Sequence, residues 1–152
     1  MMEDHDPTSP LGLLNFGWEF AEAAKKVAGE PELQNVAYYL ICHAVELALK
    51  SYLRLHGWGV QDLANRTKIG HDLETALREA DQLGLRNVVQ IGRGFENSFI
   101  VLNVYYSKKD FEYPFLAPGL PSLYSPVMMD EMLNGTDDLL KSLQAHLLKM
   151  LG

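Results

Sequence analysis

The chain has 152 residues, enough for one domain with a sizeable core, and its 47% hydrophobic and 22% charged residues are a globular composition rather than a disordered or fibrous one. A formal net charge of −7 excludes attraction of the whole surface to a phosphate backbone and leaves only a local basic pocket for that role. The single cysteine, Cys42, excludes an intramolecular disulfide, and neither a signal-peptide pattern nor an uncharged apolar run of the ~20 residues that cross a bilayer is present. These features lead to the expectation of a cytoplasmic protein with no membrane association.

Residues 1–8 read as a polar tail, and residues 9–152 as a single domain. Ser9-Pro10 looks like an N-cap followed by proline at the first helical position, where its missing N–H costs nothing. Leu13, Phe16, Phe20, Ala23, Ala24 and Val27 then recur at helical spacing, and Gly29 ends this first helix. Pro31 opens the second, which runs to about His56 before Gly57. Residues 57–70 read as a loop.

A third helix covers roughly residues 72–83, with Leu73, Ala76, Leu77 and Ala80 on its apolar face and Gly84 as its stop. A fourth begins near Asn87 and reaches about Tyr106, carrying the stripe Phe95, Phe99, Leu102 and Tyr106. Pro114, Pro118 and Pro121 keep any helix from crossing residues 107–125, whose aromatics suggest packing on the body, with room for short strand pieces. Ser125-Pro126 repeats the opening device of the first helix, and Met129, Leu133, Leu140, Leu143, Leu147 and Met150 stay in phase across Gly135. The last helix is therefore read as one, bent at that glycine. The pattern predicts an all-α, antiparallel up-and-down bundle of about five helices, with the helix around Tyr38–Leu53 central and Leu40, Leu47 and Phe99 in its core.

Along that central helix His43, Glu46 and Lys50 fall within one narrow sector of an otherwise apolar segment, YYLICHAVELALKSYL. Glu46 and Lys50 are four apart in the favourable order, carboxylate before amine. Two readings compete: a structural ion pair with a satisfied core histidine, or the polar floor of a ligand groove between helices. In GHDLETAL, His71 and Asp72 lie at a helix start, where free N–H groups can hold an anion and Asp72 can cap them. There is no HExxH, no di-iron ExxH pair, no cysteine cluster and no phosphate-binding glycine loop, so no metal or cofactor is expected.

HAVELALKSYL with Gly57, followed after a loop by GHDLETALREA, resembles the HEPN superfamily (higher eukaryotes and prokaryotes nucleotide-binding), over roughly residues 16–106. The resemblance implies an antiparallel helical bundle that dimerises, encoded beside a minimal nucleotidyltransferase or acting in toxin–antitoxin and defence systems. Many members are metal-independent ribonucleases, marked by an arginine, four to six residues and a histidine near the start of a late helix. Here that spacing occurs only in RTKIGH, from Arg66 to His71, ahead of the third helix; Arg86 and Arg93 lie in the right region without a histidine. The Arg66 spacing is read as coincidence. The first reading is thus a HEPN-like, non-catalytic module that forms a homodimer and binds a partner protein, a nucleotide or RNA. Its candidate site residues are His43, Glu46, Lys50, His71, Asp72, Arg93 and Glu96. The alternatives are a divergent endoribonuclease, with His71 moving the proton and Arg93 or Arg66 meeting phosphate charge, and a purely structural dimer.

Overall fold

The computed structural model describes residues 6–151, and all regular structure among them is helical. Six α-helices follow in order: α1 (Pro10–Val27), α2 (Gln34–Leu55), α3 (Val60–Ala64), α4 (Leu73–Gln82), α5 (Arg93–Tyr106) and α6 (Pro126–Leu151). Local chemistry sets most of their ends. Ser9 Oγ accepts from Gly12 N–H at 2.9 Å and Pro10 takes the first helical position, so α1 starts where the sequence places it. Beyond α1, the Gln34 side-chain amide donates to the Ala28 and Glu30 carbonyls, so the turn between α1 and α2 is tied by side chain as well as backbone. Met128 N–H donates to Ser125 Oγ at 3.1 Å at the head of α6.

The expected tail is only partly open to comparison, because residues 1–5 lie outside the described residues. Residues 6–8 fold back rather than trail. Asp6 accepts from the Thr8 N–H and hydroxyl, and Arg54 Nε donates to the Thr8 carbonyl at 2.9 Å.

α2 is the central element, packing against α1, α4, α5 and α6, while α6 also covers α1 and α5. Its core positions are Ile41, Ala44, Val45, Ala48, Leu49 and Leu53, all fully buried, with Phe99 reaching in from α5. Leu40 and Leu47, expected in the core, are half-buried instead, because the buried sector of α2 is centred on the alanine-rich face. Small side chains there let α1 come close: a β-carbon at Gly17 would touch Leu140 and the Ala44 carbonyl.

Three further expectations are corrected. The 57–70 segment contains a short helix, α3, of which only Leu63 is buried. The fourth predicted helix starts at Arg93, since residues 85–87 form a single 3₁₀ turn and the chain runs irregularly to Gly92. No strand occurs among the described residues. The 107–125 segment carries 3₁₀ turns at Pro114–Leu116 and Leu120–Leu123, and packs through Phe111, Leu120 and Tyr124 while Tyr113 and Phe115 face solvent. α6 is continuous through Gly135, where a β-carbon would overlap the Phe95 ring of α5. Among the described residues no helix is long and apolar enough to cross a membrane.

Candidate functional site

The polar sector of α2 lies under the loop that leads into α4 and against the C-terminal end of α5. Glu46 and Lys50 are 3% and 7% exposed, so neither faces a ligand directly. Lys50 Nζ donates to Glu46 Oε2 at 2.8 Å and to the Gly70 carbonyl at 2.6 Å. The other carboxylate oxygen, Oε1, accepts from the Tyr106 hydroxyl at 2.5 Å and pairs with His71 Nδ1 at 2.9 Å. An ionised carboxylate can only accept, so the network assigns the proton of His71 to Nδ1 and leaves Nε2 free. Tyr106 spends its one proton on Glu46. His43 Nδ1, 2.8 Å from the Tyr106 oxygen, must then donate to it.

Electrostatics follow from this geometry. Burial alone would push the Glu46 carboxyl up, but the bond from His71 and the charges of Lys50 and His43 outweigh it and bring the group down to about 2. Burial dominates at His43 and lowers its pKa, the nearby Glu46 opposing the shift. Burial and the adjacent Glu46 charge raise Tyr106, keeping its hydroxyl protonated. Burial likewise raises the Cys42 thiol, which leaves it a small core hydrophobe rather than a nucleophile.

His71 is the member that reaches solvent. Its side chain is 38% exposed and borders a hollow of about 310 Å³, along with Arg66, Ser107, Lys108 and Lys109. Lys25, Lys50, Lys68 and Arg86 are each paired with a carboxylate; among the described residues, Arg66, Lys108 and Lys109 are not. Three cations without a carboxylate partner thus line one hollow, together with the Asp72 carboxylate, beside an imidazole whose orientation is set from behind.

The anion reading of the α4 start is corrected. Asp72 Oδ1 accepts from Glu74 N–H, Thr75 N–H and Asn103 Nδ2, and Asn103 Oδ1 takes the Leu73 N–H at 2.8 Å. Those amides are committed, so they are not free to hold an anion; Asp72 is the cap that seats His71, and it borders the same hollow. Burial opposes the Asp72 charge, but the bonds from Asn103 and Thr75 prevail and lower its pKa.

His43, Glu46, Lys50 and His71 therefore form one network, with Asp72 next to it. Arg93 and Glu96 do not join it. Glu96 pairs with Arg86 at 2.7 Å, and Arg93, exposed at the first turn of α5, lies roughly 20 Å along the helix from Tyr106 at 1.5 Å per residue. Sequence reasoning missed Tyr106 and Asn103, which look like members of an apolar stripe, and Lys108 and Lys109, which follow the helix. Among the described residues no three His, Cys, Asp or Glu side chains are grouped to hold a metal ion.

Compared with known proteins, the chain matches no family model, no curated protein and no solved structure.

Two predictions follow from the burial of the network. Glu46→Gln and Lys50→Met should each destabilise the fold by roughly 3 kcal/mol, because each leaves a buried charge without its partner. The double apolar variant should recover only part of that loss, since Tyr106, His71 and the Gly70 carbonyl lose their bonds too. Chemical denaturation of the three variants checks this; three curves coincident with wild type would refute it.

pH gives the second. A histidine whose folded pKa is depressed contributes stability above its unfolded pKa of 6.5 and loses it as pH falls through the folded value. Stability should therefore drop below about pH 6.5. His43→Asn, which keeps a donor near Nδ1, should remove part of that drop. The depressed Glu46 adds a later loss, between its ordinary 4.5 and about 2. Urea unfolding of wild type and His43→Asn across this range is the measurement, and parallel profiles would contradict the assignment.

Proposed function

We propose that the protein is a HEPN-like helical module that binds a nucleotide or RNA in the hollow beside His71 without cleaving it. One observation carries the reading: Arg66, Lys108 and Lys109, none with a carboxylate partner, surround a solvent-edged imidazole that the buried Glu46 orients. In a chain of net charge −7, such a local concentration of unpaired cations is the feature suited to phosphate. The two segments behind the resemblance support it further, because HAVELALKSYL and GHDLETALREA meet through the Glu46–His71 bond. A minimal nucleotidyltransferase is the partner protein that the resemblance suggests.

A second reading, a metal-independent endoribonuclease, draws on a specific observation. Arg66 and His71, whose spacing in sequence looked accidental, border the same hollow. His71 Nε2 could take a proton from a ribose hydroxyl while Arg66 met the charge on phosphorus.

Binding of a single-stranded RNA, followed by fluorescence anisotropy at several salt concentrations, tests the site. Three phosphate contacts should give a slope of about −2 in log affinity against log salt, and Lys108→Gln should make it shallower by about 0.7. A Lys108→Gln affinity equal to wild type would remove the hollow from consideration. RNA recovered intact after incubation supports the non-cleaving module; cleavage abolished by both His71→Ala and Arg66→Ala would transfer the assignment to the ribonuclease.

We further place a homodimer face on α5, where Val101 and Val104 are 43% and 52% exposed on the side away from the core. Tyr106, on the same helix, is turned inward to Glu46 and does not contribute. Light scattering at tens of micromolar should give twice the 17.1 kDa chain mass, reduced to the single mass by Val101→Asp. A wild-type monomer would remove the dimer from this reading.

A further inference from the structure

We propose that the hollow is built for a terminal phosphate, the monoester dianion of a mononucleotide or an RNA end, rather than for the internal phosphodiester backbone. The inference rests on the nucleotide- or RNA-binding reading and names the group recognised.

It begins with the backbone after α5. Asp110 N–H donates to the Tyr105 carbonyl and Lys109 N–H to the Tyr106 carbonyl, both at 3.0 Å, the paired bonds of a Schellman stop. The residue at the left-handed position of that stop is Lys109, with φ of 64°. Glycine is the usual occupant, because a β-carbon is strained there. The other described residues with positive φ are all glycines: Gly57, Gly70 and Gly84. At Lys109 the chain therefore keeps a costly conformation, and what it gains is an ammonium on the rim of the hollow.

Charge then selects the group. Arg66, Lys108 and Lys109 bring three positive charges against the one negative charge of Asp72, whose carboxylate is bound by the α4 cap and Asn103, so the hollow carries a net charge of about +2. An internal phosphodiester offers one negative charge, whereas a terminal phosphate carries about −1.5 to −2 near neutral pH and has three strong acceptor oxygens. The Ser107 hydroxyl can donate to one of the extra oxygens. Size agrees. At about 310 Å³ the hollow is at the bottom of the range for ligand pockets, roughly 300–1,000 Å³, and has ample room for a phosphate headgroup.

The test compares 5′-phosphorylated with 5′-hydroxyl oligouridylate, and AMP with adenosine, against the full chain and Lys109→Gly. Wild type should bind each phosphorylated probe about tenfold tighter than its unphosphorylated counterpart, one strong charge-assisted contact being worth that much. The AMP arm tells a free mononucleotide from an RNA end as the source of the monoester. Lys109→Gly should lose about tenfold for the phosphorylated probes while its Tm rises by about 2–4 °C through relief of the left-handed strain. Equal binding of both oligouridylates, still weakened by Lys109→Gly, would overturn the monoester inference and leave RNA binding standing. Absence of binding by every probe would overturn both. A Lys109→Gly protein that melts no higher than wild type would overturn the claim that this position exchanges stability for charge.

Discussion

An ionised carboxylate taken out of water must be repaid in full by its neighbours, and the burial of Glu46 is the constraint from which the rest of the site follows. Its two oxygens collect Lys50, His71 and Tyr106, which belong to α2, to the loop before α4 and to the end of α5. Removing any one of them leaves charge or polar atoms stranded in a low-dielectric interior. The three segments are thus held in one register by electrostatics, where apolar packing alone would tolerate sliding. Lys50 adds a second tie through the Gly70 carbonyl, and Asn103 a third by bridging the α4 cap to α5.

On the α2 stripe the structure shows the ion pair of the first reading, and the network anchored on it has two depths. Glu46 and Lys50 form the buried layer and His71 is where it meets water. What the buried layer gives to the surface is orientation: with Nδ1 held by a carboxylate, the imidazole presents one nitrogen in one direction. His43 ends the chain on the other side, enclosed by Phe20 and Tyr39, away from the hollow. Its place in the network is through Tyr106 and not through contact with His71.

Much of the helical framework was legible because its signals are local. Ser9-Pro10, Ser125-Pro126, Asp72 and Gly84 mark ends by capping chemistry that operates within a few residues. The central position of α2 was legible from its nearly all-round apolar pattern. Its inward face was not, because a helix apolar on every side leaves the choice to its neighbours, and Gly17 and Leu140 made it. α3 escaped notice since one turn with one buried leucine has no periodicity to detect. Within the site, Glu46, Lys50 and His71 stood out as polar groups in apolar or motif surroundings. Tyr106 did not, because a tyrosine on an apolar stripe reads as core, and its hydroxyl matters only once α5 lies over Glu46. Lys109 was hidden more deeply: a left-handed stop predicts glycine, so the sequence argues against the conformation that the fold imposes.

Close contact between α5 and α6 has a bearing on how this chain can diverge. At Gly135 the Phe95 ring occupies the space any side chain would need, so the position accepts no other residue unless two helices move apart or position 95 shrinks in step. Change at one site is conditional on change at the other. Divergent copies of this fold should consequently vary at 95 and 135 as a coupled pair, and a search for distant relatives gains more from that pairing than from the identity of either residue.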